Sequence, residues 1–270
     1  MANMIETTAL NTRNGVFRVA QQGLQTAPVL IFSNSLGTTL EMWEGQIAAF
    51  SGSYRVIAYD TRGHGGSPVT PGPYSFDQLG DDVLAIMDAL NIERAAFCGV
   101  SMGGHTALWL GRYAPERFTG IAVCNSAAKI GTAEGWAERA AMVRRGGADA
   151  MKALAETSPE RWFTSDFINA EPAVVARAQS WIAAVDAEGY AACCDALGHS
   201  DLRADIASVI IPTLLLAGEF DPVTTVADAE AMHAAIAGSR LTSVPASHLS
   251  NLEAPSAFNQ ELAAFLAKLA

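Results

Sequence analysis

Apolar and polar positions along this chain alternate between two regimes. Short, continuous apolar runs recur at Val29–Ser33 (VLIFS), Tyr54–Tyr59 (YRVIAY), Arg94–Cys98 (RAAFC), Ile121–Cys124, Thr213–Ala217 (TLLLA) and Leu241–Val244 (LTSV). Runs so short and so apolar read as strands covered on both faces, as in a parallel sheet. Between them the apolar residues fall three and four apart. Phe76, Leu79, Val83, Ile86, Met87 and Leu90 share one face of a helix predicted over 76–90. Further helices are predicted over 42–50, 104–113 and 226–236, and over 259–268 after Pro255. Residues 5–21 read as a hairpin: IETTAL, a turn from Asn11 to Gly15 carrying the Asn14-Gly15 signal, then VFRVAQ.

From Ala127 to Asp205 the pattern changes to Ala, Arg, Trp and Glu at helical periods, with few β-branched runs. Strand–helix alternation on both sides of such an insert predicts an α/β fold: a doubly wound, mostly parallel sheet with an inserted helical cap. Residues 1–126 and 206–270 would form the core, and 127–205 the cap.

Composition narrows the chemistry. The 270 residues are 50% apolar with a net charge of -11, which argues against nucleic acid or an anionic membrane surface as a partner. No stretch approaches the ~18 apolar residues of a membrane span. The first residues carry Glu6, Arg13 and Arg18 without a long apolar run, so no signal peptide is expected. The four cysteines have no metal-ligand spacing and read as reduced thiols. A cytoplasmic protein without metal or cofactor is expected. No feature of the chain reports an oligomeric state.

The candidate chemistry sits at Gly99-Val100-Ser101-Met102-Gly103, a G-x-S-x-G motif between an apolar run and a helical pattern. A serine hydroxyl is a weak nucleophile and must be raised beside a base. A sharp strand-to-helix turn does this, and the flanking glycines spare the turn from clashes. On this architecture the partners follow in the order acid, then histidine. His248 lies in the loop after the last predicted strand, where active residues of parallel sheets gather, and is the expected base. His105, His199 and His233 fall on the elbow helix, in the cap and mid-helix. Asp221, in a turn stiffened by Pro222, is the expected acid, with Glu219 as its competitor. An oxyanion would be held by the backbone N–H groups of Met102 and of Leu36, the latter in Asn34-Ser35-Leu36-Gly37. The glycine-rich loop Asp60–Pro68 lacks a P-loop ending and reads as a structural turn in which Asp60 and Arg62 tie down neighbouring loops.

These residues together resemble the α/β-hydrolase fold with a cap between two core strands. NSLG, DTRGHGGS and GVSMGG are shared with many esterases and C–C hydrolases. The segments Ala114–Phe118, Cys124–Thr132, Trp136, Val143-Arg144, Arg161–Thr164, Tyr190–Cys194 and Ala246–Asn251 resemble more narrowly the 3-oxoadipate enol-lactonases of bacterial aromatic catabolism. The resemblance implies hydrolysis of a small anionic lactone without a cofactor. Lys129, Arg139, Arg144, Arg145 and Arg161 are candidates to hold its carboxylate, and Trp136, Trp162 and Trp43 to wall the pocket or pack the cap. The triad alone also fits a carboxylesterase, a C–C bond hydrolase, a cofactor-free perhydrolase, or a non-catalytic ligand-binding protein on the same fold.

Overall fold

The computed structural model describes residues 5–269; residues 1–4 and 270, at the ends of the two core segments, lie outside it. The chain opens with the antiparallel pair β1 (Thr7–Thr12) and β2 (Gly15–Gln22), with Thr12 opposite Gly15. The turn is thus tighter than the predicted Asn11–Gly15, because both strands extend toward Asn14-Gly15. Then follow β3 (Val29–Ser33), α1 (Glu44–Phe50), β4 (Arg55–Tyr59), α2 (Phe76–Ala89), β5 (Ala95–Val100), α3 (Met102–Tyr113) and β6 (Phe118–Cys124). A helical excursion comprises α4 (Ala133–Thr157), α5 (Pro159–Trp162), α6 (Ser165–Ala170), α7 (Pro172–Ala184) and α8 (Ala187–His199). The chain returns through β7 (Thr213–Gly218), α9 (Val226–Ala235), β8 (Arg240–Val244), α10 (Ser250–Glu253) and α11 (Pro255–Leu266). The last helix starts four positions before the predicted 259, because Pro255 opens it at the position where a missing N–H costs nothing.

The strands form one sheet in the order β1-β2-β4-β3-β5-β6-β7-β8, parallel from β4 onward. Its inner strands are buried on both faces, as their apolar runs require. In β3, Leu30 and Phe32 join the cluster on one face and Ile31 the other. The first cluster continues without a break into the helical excursion through Ala140, Val143, Met151, Trp162 and Ile182. Strand order reverses at β3, which pairs with β4 on one side and β5 on the other. Loops leaving β3 and β5 therefore diverge, opening a crevice at the carboxyl ends of the strands. No helix among the described residues is long and apolar enough to cross a membrane.

Candidate active site

The turn from β5 into α3 is abrupt. Ser101 has φ 57° and ψ -116°, a conformation L-residues rarely adopt, and α3 begins at the next residue, Met102, rather than at the predicted Gly104. Ser101 is held there by its own N–H donating to Cys124 O (3.0 Å) and by Ser126 Oγ donating to Ser101 O (2.8 Å). The glycines are required for clearance. A Cβ on Gly99 would meet Gly103 C at 2.1 Å, and one on Gly103 would meet Ser33 O at 2.2 Å.

The loop leaving β3 crosses in front of this turn. His64 Nε2 accepts the Gly37 N–H at 2.9 Å, while its Nδ1 lies 3.3 Å from Arg62 O. The same imidazole thus anchors the Ser35–Gly37 turn to the glycine-rich loop. Burial pulls the pKa of His64 down to about 4, so it is neutral and able to accept. The Leu36 N–H has no hydrogen-bond partner among the described residues, and Met102 N–H is the free first donor of α3. The rest of the glycine-rich loop is structural. Asp60 accepts from Arg18, Gly66 N–H and Leu40 N–H, and Arg62 forks onto buried Asp82 at 2.7 and 2.6 Å.

Two later loops supply the polar groups. His248 Nδ1 donates to Asp221 Oδ2 at 2.8 Å, and both residues are buried. Asp221 accepts four further hydrogen bonds, from Asn125 Nδ2, Thr224 Oγ1, Val223 N–H and Thr224 N–H. Burial alone would raise its carboxyl pKa. The charge and hydrogen bond of His248, with the Asn125 amide, outweigh burial and hold it below the ordinary value. Glu219 is exposed and instead meets Ser243. His105, on α3 itself, is buried with its ring nitrogens against Ala127 O and Ser200 Oγ, and His199 and His233 are exposed away from the crevice.

A cavity of 260 Å³ covers the crevice. Ser35, Leu36, Ser101 and His248 line its floor, while Trp136, Arg139, Arg161, Trp162 and Tyr190 come from the helical excursion. The cavity is below the usual size of drug-binding pockets and suits a small metabolite. Of the five basic candidates, three point elsewhere or are spoken for. Lys129 pairs with Asp201, Arg144 with Glu188 and Asp195, and Arg145 is exposed outside the cavity. Arg139 and Arg161 reach the cavity, and neither makes a salt bridge among the described residues. Burial first, then repulsion from Arg139, pulls the pKa of Arg161 below its usual range. Arg139 also lies over the Trp136 ring, 5.5 Å from its centroid. Trp43, by contrast, is core: it stacks on Phe32 at 4.5 Å and donates to Asn34 Oδ1, supporting the β3 loop from beneath.

Sequence reasoning assigned no role to Asn125, His64 or Glu253. Asn125 directly follows β6, so the rule that active residues gather at strand ends could have flagged it. His64 and Glu253 gave no such signal, since the contacts that tie them to another loop, His64 with Gly37 and Glu253 with Thr164, span 27 and 89 positions.

A strained serine and a histidine backed by a buried carboxylate at one cavity, with unpaired backbone N–H groups on Leu36 in its lining and on Met102 next to the serine, are the parts of nucleophilic acyl transfer. Ser101 and His248 are not hydrogen-bonded to each other; such contacts tighten when substrate binds. The profile of the alpha/beta hydrolase fold family matches residues 28–255. The chain is 48% identical over 257 residues to 3-oxoadipate enol-lactonase 2 of Acinetobacter baylyi, covering 95% of each. It is 45% identical over 256 residues to 3-oxoadipate enol-lactonase 1 of the same organism, again covering 95% of each. The crystal structure of an enol-lactonase from Burkholderia xenovorans matches with a TM-score of 0.92 at 41% identity, covering 97% of this chain and 100% of that one.

Proposed function

The chain belongs to the α/β-hydrolase fold family, and from that premise we propose that it hydrolyses 3-oxoadipate enol-lactone to 3-oxoadipate. The observation that carries this reading is one cavity with Ser101 and His248 on its floor and, in its roof, two arginines that have no acidic partner among the described residues. An ester-cleaving floor under a cationic roof fits a small lactone bearing a carboxylate.

Arg139 and Arg161 grip that carboxylate, and Trp136 and Trp162 flank the ring. Ser101 Oγ attacks the lactone carbonyl as His248 Nε2 takes its proton. Asp221 holds the imidazole in the right tautomer and stabilises the imidazolium. The oxyanion rests on the N–H groups of Leu36 and Met102, each contributing about 3 kcal/mol of barrier lowering. The C–O bond of the ring then breaks. The leaving enolate takes the proton from His248 and tautomerises to the ketone. Water, deprotonated by His248, hydrolyses the acyl-serine and releases the second carboxylate. Four buried free cysteines suit work in a reducing cytoplasm.

Steady-state assays test this reading. The enol-lactone should be hydrolysed with kcat/KM at least about 100-fold above p-nitrophenyl acetate. S101A should lose turnover while its stability stays within about 1 kcal/mol of the parent. R161Q should raise KM for the lactone and leave p-nitrophenyl acetate unaffected. Equal kcat/KM for the two substrates would remove the substrate assignment, and activity in S101A would remove the mechanism.

A further inference from the structure

The loop carrying His248 is stitched to the helical cap on both sides of the histidine. On one side, the Ser247 N–H donates to Glu253 Oε2 at 2.7 Å. The other carboxyl oxygen, Glu253 Oε1, accepts the Thr164 N–H at 3.1 Å and the Thr164 hydroxyl. On the other side, the Leu249 N–H donates directly to Trp162 O at 3.0 Å. Residues 162–164 form the corner between α5 and α6, and Arg161 and Trp162 at that corner line the cavity. Glu253 itself does not line it. Among the described residues, its carboxyl group is therefore the one side-chain group that bridges the backbone beside His248 to the cap corner that lines the cavity.

We propose that Glu253 is a positioning residue that makes the His248 loop and the α5–α6 corner a single hydrogen-bonded unit. Filling the cavity against Arg161 and Trp162 then sets the place of the imidazole relative to Ser101. The bridge needs both carboxyl oxygens as acceptors, because each faces an N–H. A glutamine has one acceptor and one donor, so it must break one arm. The hydroxyl at residue 164 serves the cap-side arm and also caps α6, accepting the Phe167 N–H at 3.3 Å. This inference rests on His248 being the base.

The test uses the full chain with E253Q, E253A, T164V and T164S, each assayed on the enol-lactone. E253Q should lower kcat by about 10-fold and E253A by more, with KM held within about 2-fold, since neither change touches the cavity. T164V should lower kcat by about 3-fold, and T164S, which keeps the hydroxyl, should restore it. Proton NMR supplies the second readout: the low-field His248 Nδ1–H resonance should broaden or move in E253Q and T164V, but not in T164S. If E253A does not fold, E253Q, which keeps the size of the side chain and leaves the Thr164 cap of α6 in place, still decides. Parental kcat and an unmoved resonance in both E253Q and T164V would overturn the proposal, as would a loss of activity appearing entirely in KM. Failure of the catalytic reading is distinguishable, because it appears with Glu253 intact, as absent lactone turnover or as an active S101A.

Discussion

Asn125 shows how much one side chain can organise. Its backbone sits at φ 43°, where asparagine is among the few residues at ease. Its amide nitrogen donates to Asp221 Oδ2 and to Ser247 O, both at 3.0 Å, and its oxygen accepts from Ser250. Three bonds from a buried residue thus tie the carboxylate to both flanks of His248. N125A should lower kcat by roughly 10–100-fold and stability by about 1–3 kcal/mol, since it strands buried polar groups. N125D is the sharper probe. It sets a second carboxyl 3.0 Å from Asp221 Oδ2, and two such groups cannot both ionise cheaply. A shared proton preserves the contact at low pH and is lost as pH rises. The ratio of parent to N125D kcat/KM should therefore grow between about pH 6 and 9; a flat ratio would count against this role for Asn125.

Among the elements, the seating of the cap on the core turns on a backbone-to-backbone contact. Gly189 in α8 lies against Gly63 of the glycine-rich loop, so that a Cβ on Gly189 would fall 2.3 Å from Gly63 O. Helix propensity alone favours G189A by about 1 kcal/mol. Overpacking against backbone that cannot yield costs about 1–3 kcal/mol, so packing should win. G189A should lower the thermal midpoint and raise KM for the lactone by lifting the roof of the cavity; a raised midpoint with unchanged KM would show that the contact relaxes freely. The elements themselves were largely legible in sequence. Fully buried strands such as β3 announce themselves as apolar runs, and α2 by its three-to-four spacing. The ends were less so. The start of α3 at Met102 depends on the strained Ser101 turn, and strain leaves no mark in a hydropathy pattern.

At the scale of the molecule, two fully buried imidazoles make the fold sensitive to acid. Burial is the main cause in each case and draws His64 and His105 down to about 4, against an ordinary 6.5. In the unfolded chain each takes up a proton near 6.5; in the folded chain it does not until about 4. Their contribution is therefore complete above pH 6.5 and lost progressively as pH falls toward 4, at up to about 1.4 kcal/mol per unit from each. Asp221, held below its ordinary value, adds its own loss only below the unfolded carboxyl range of about 3.9. Urea unfolding at pH 7 and pH 5 should differ by roughly 2–4 kcal/mol, and H105Q should flatten the slope between them. Equal stability at the two pH values would mean that these imidazoles are protonated in the fold.

The amino-acid order by itself determined the sheet, the helical excursion and the candidate residues Ser101, Asp221 and His248. Apolar periodicity, turn chemistry and strand-end placement are local properties and can be read locally. Resemblance to enol-lactonases then pointed to the substrate. Which of five basic side chains meet the cavity was decided only by the tertiary structure. Arg139 and Arg161 are distinguished from Lys129 and Arg144 by where acidic partners lie, and those partners come from distant parts of the chain. The same holds for His64 behind Gly37, Asn125 beneath Asp221, and Glu253 between Ser247 and Thr164. Each acts through a hydrogen bond that spans tens of residues, and the direction of a side chain across such a span exists only once the chain has folded.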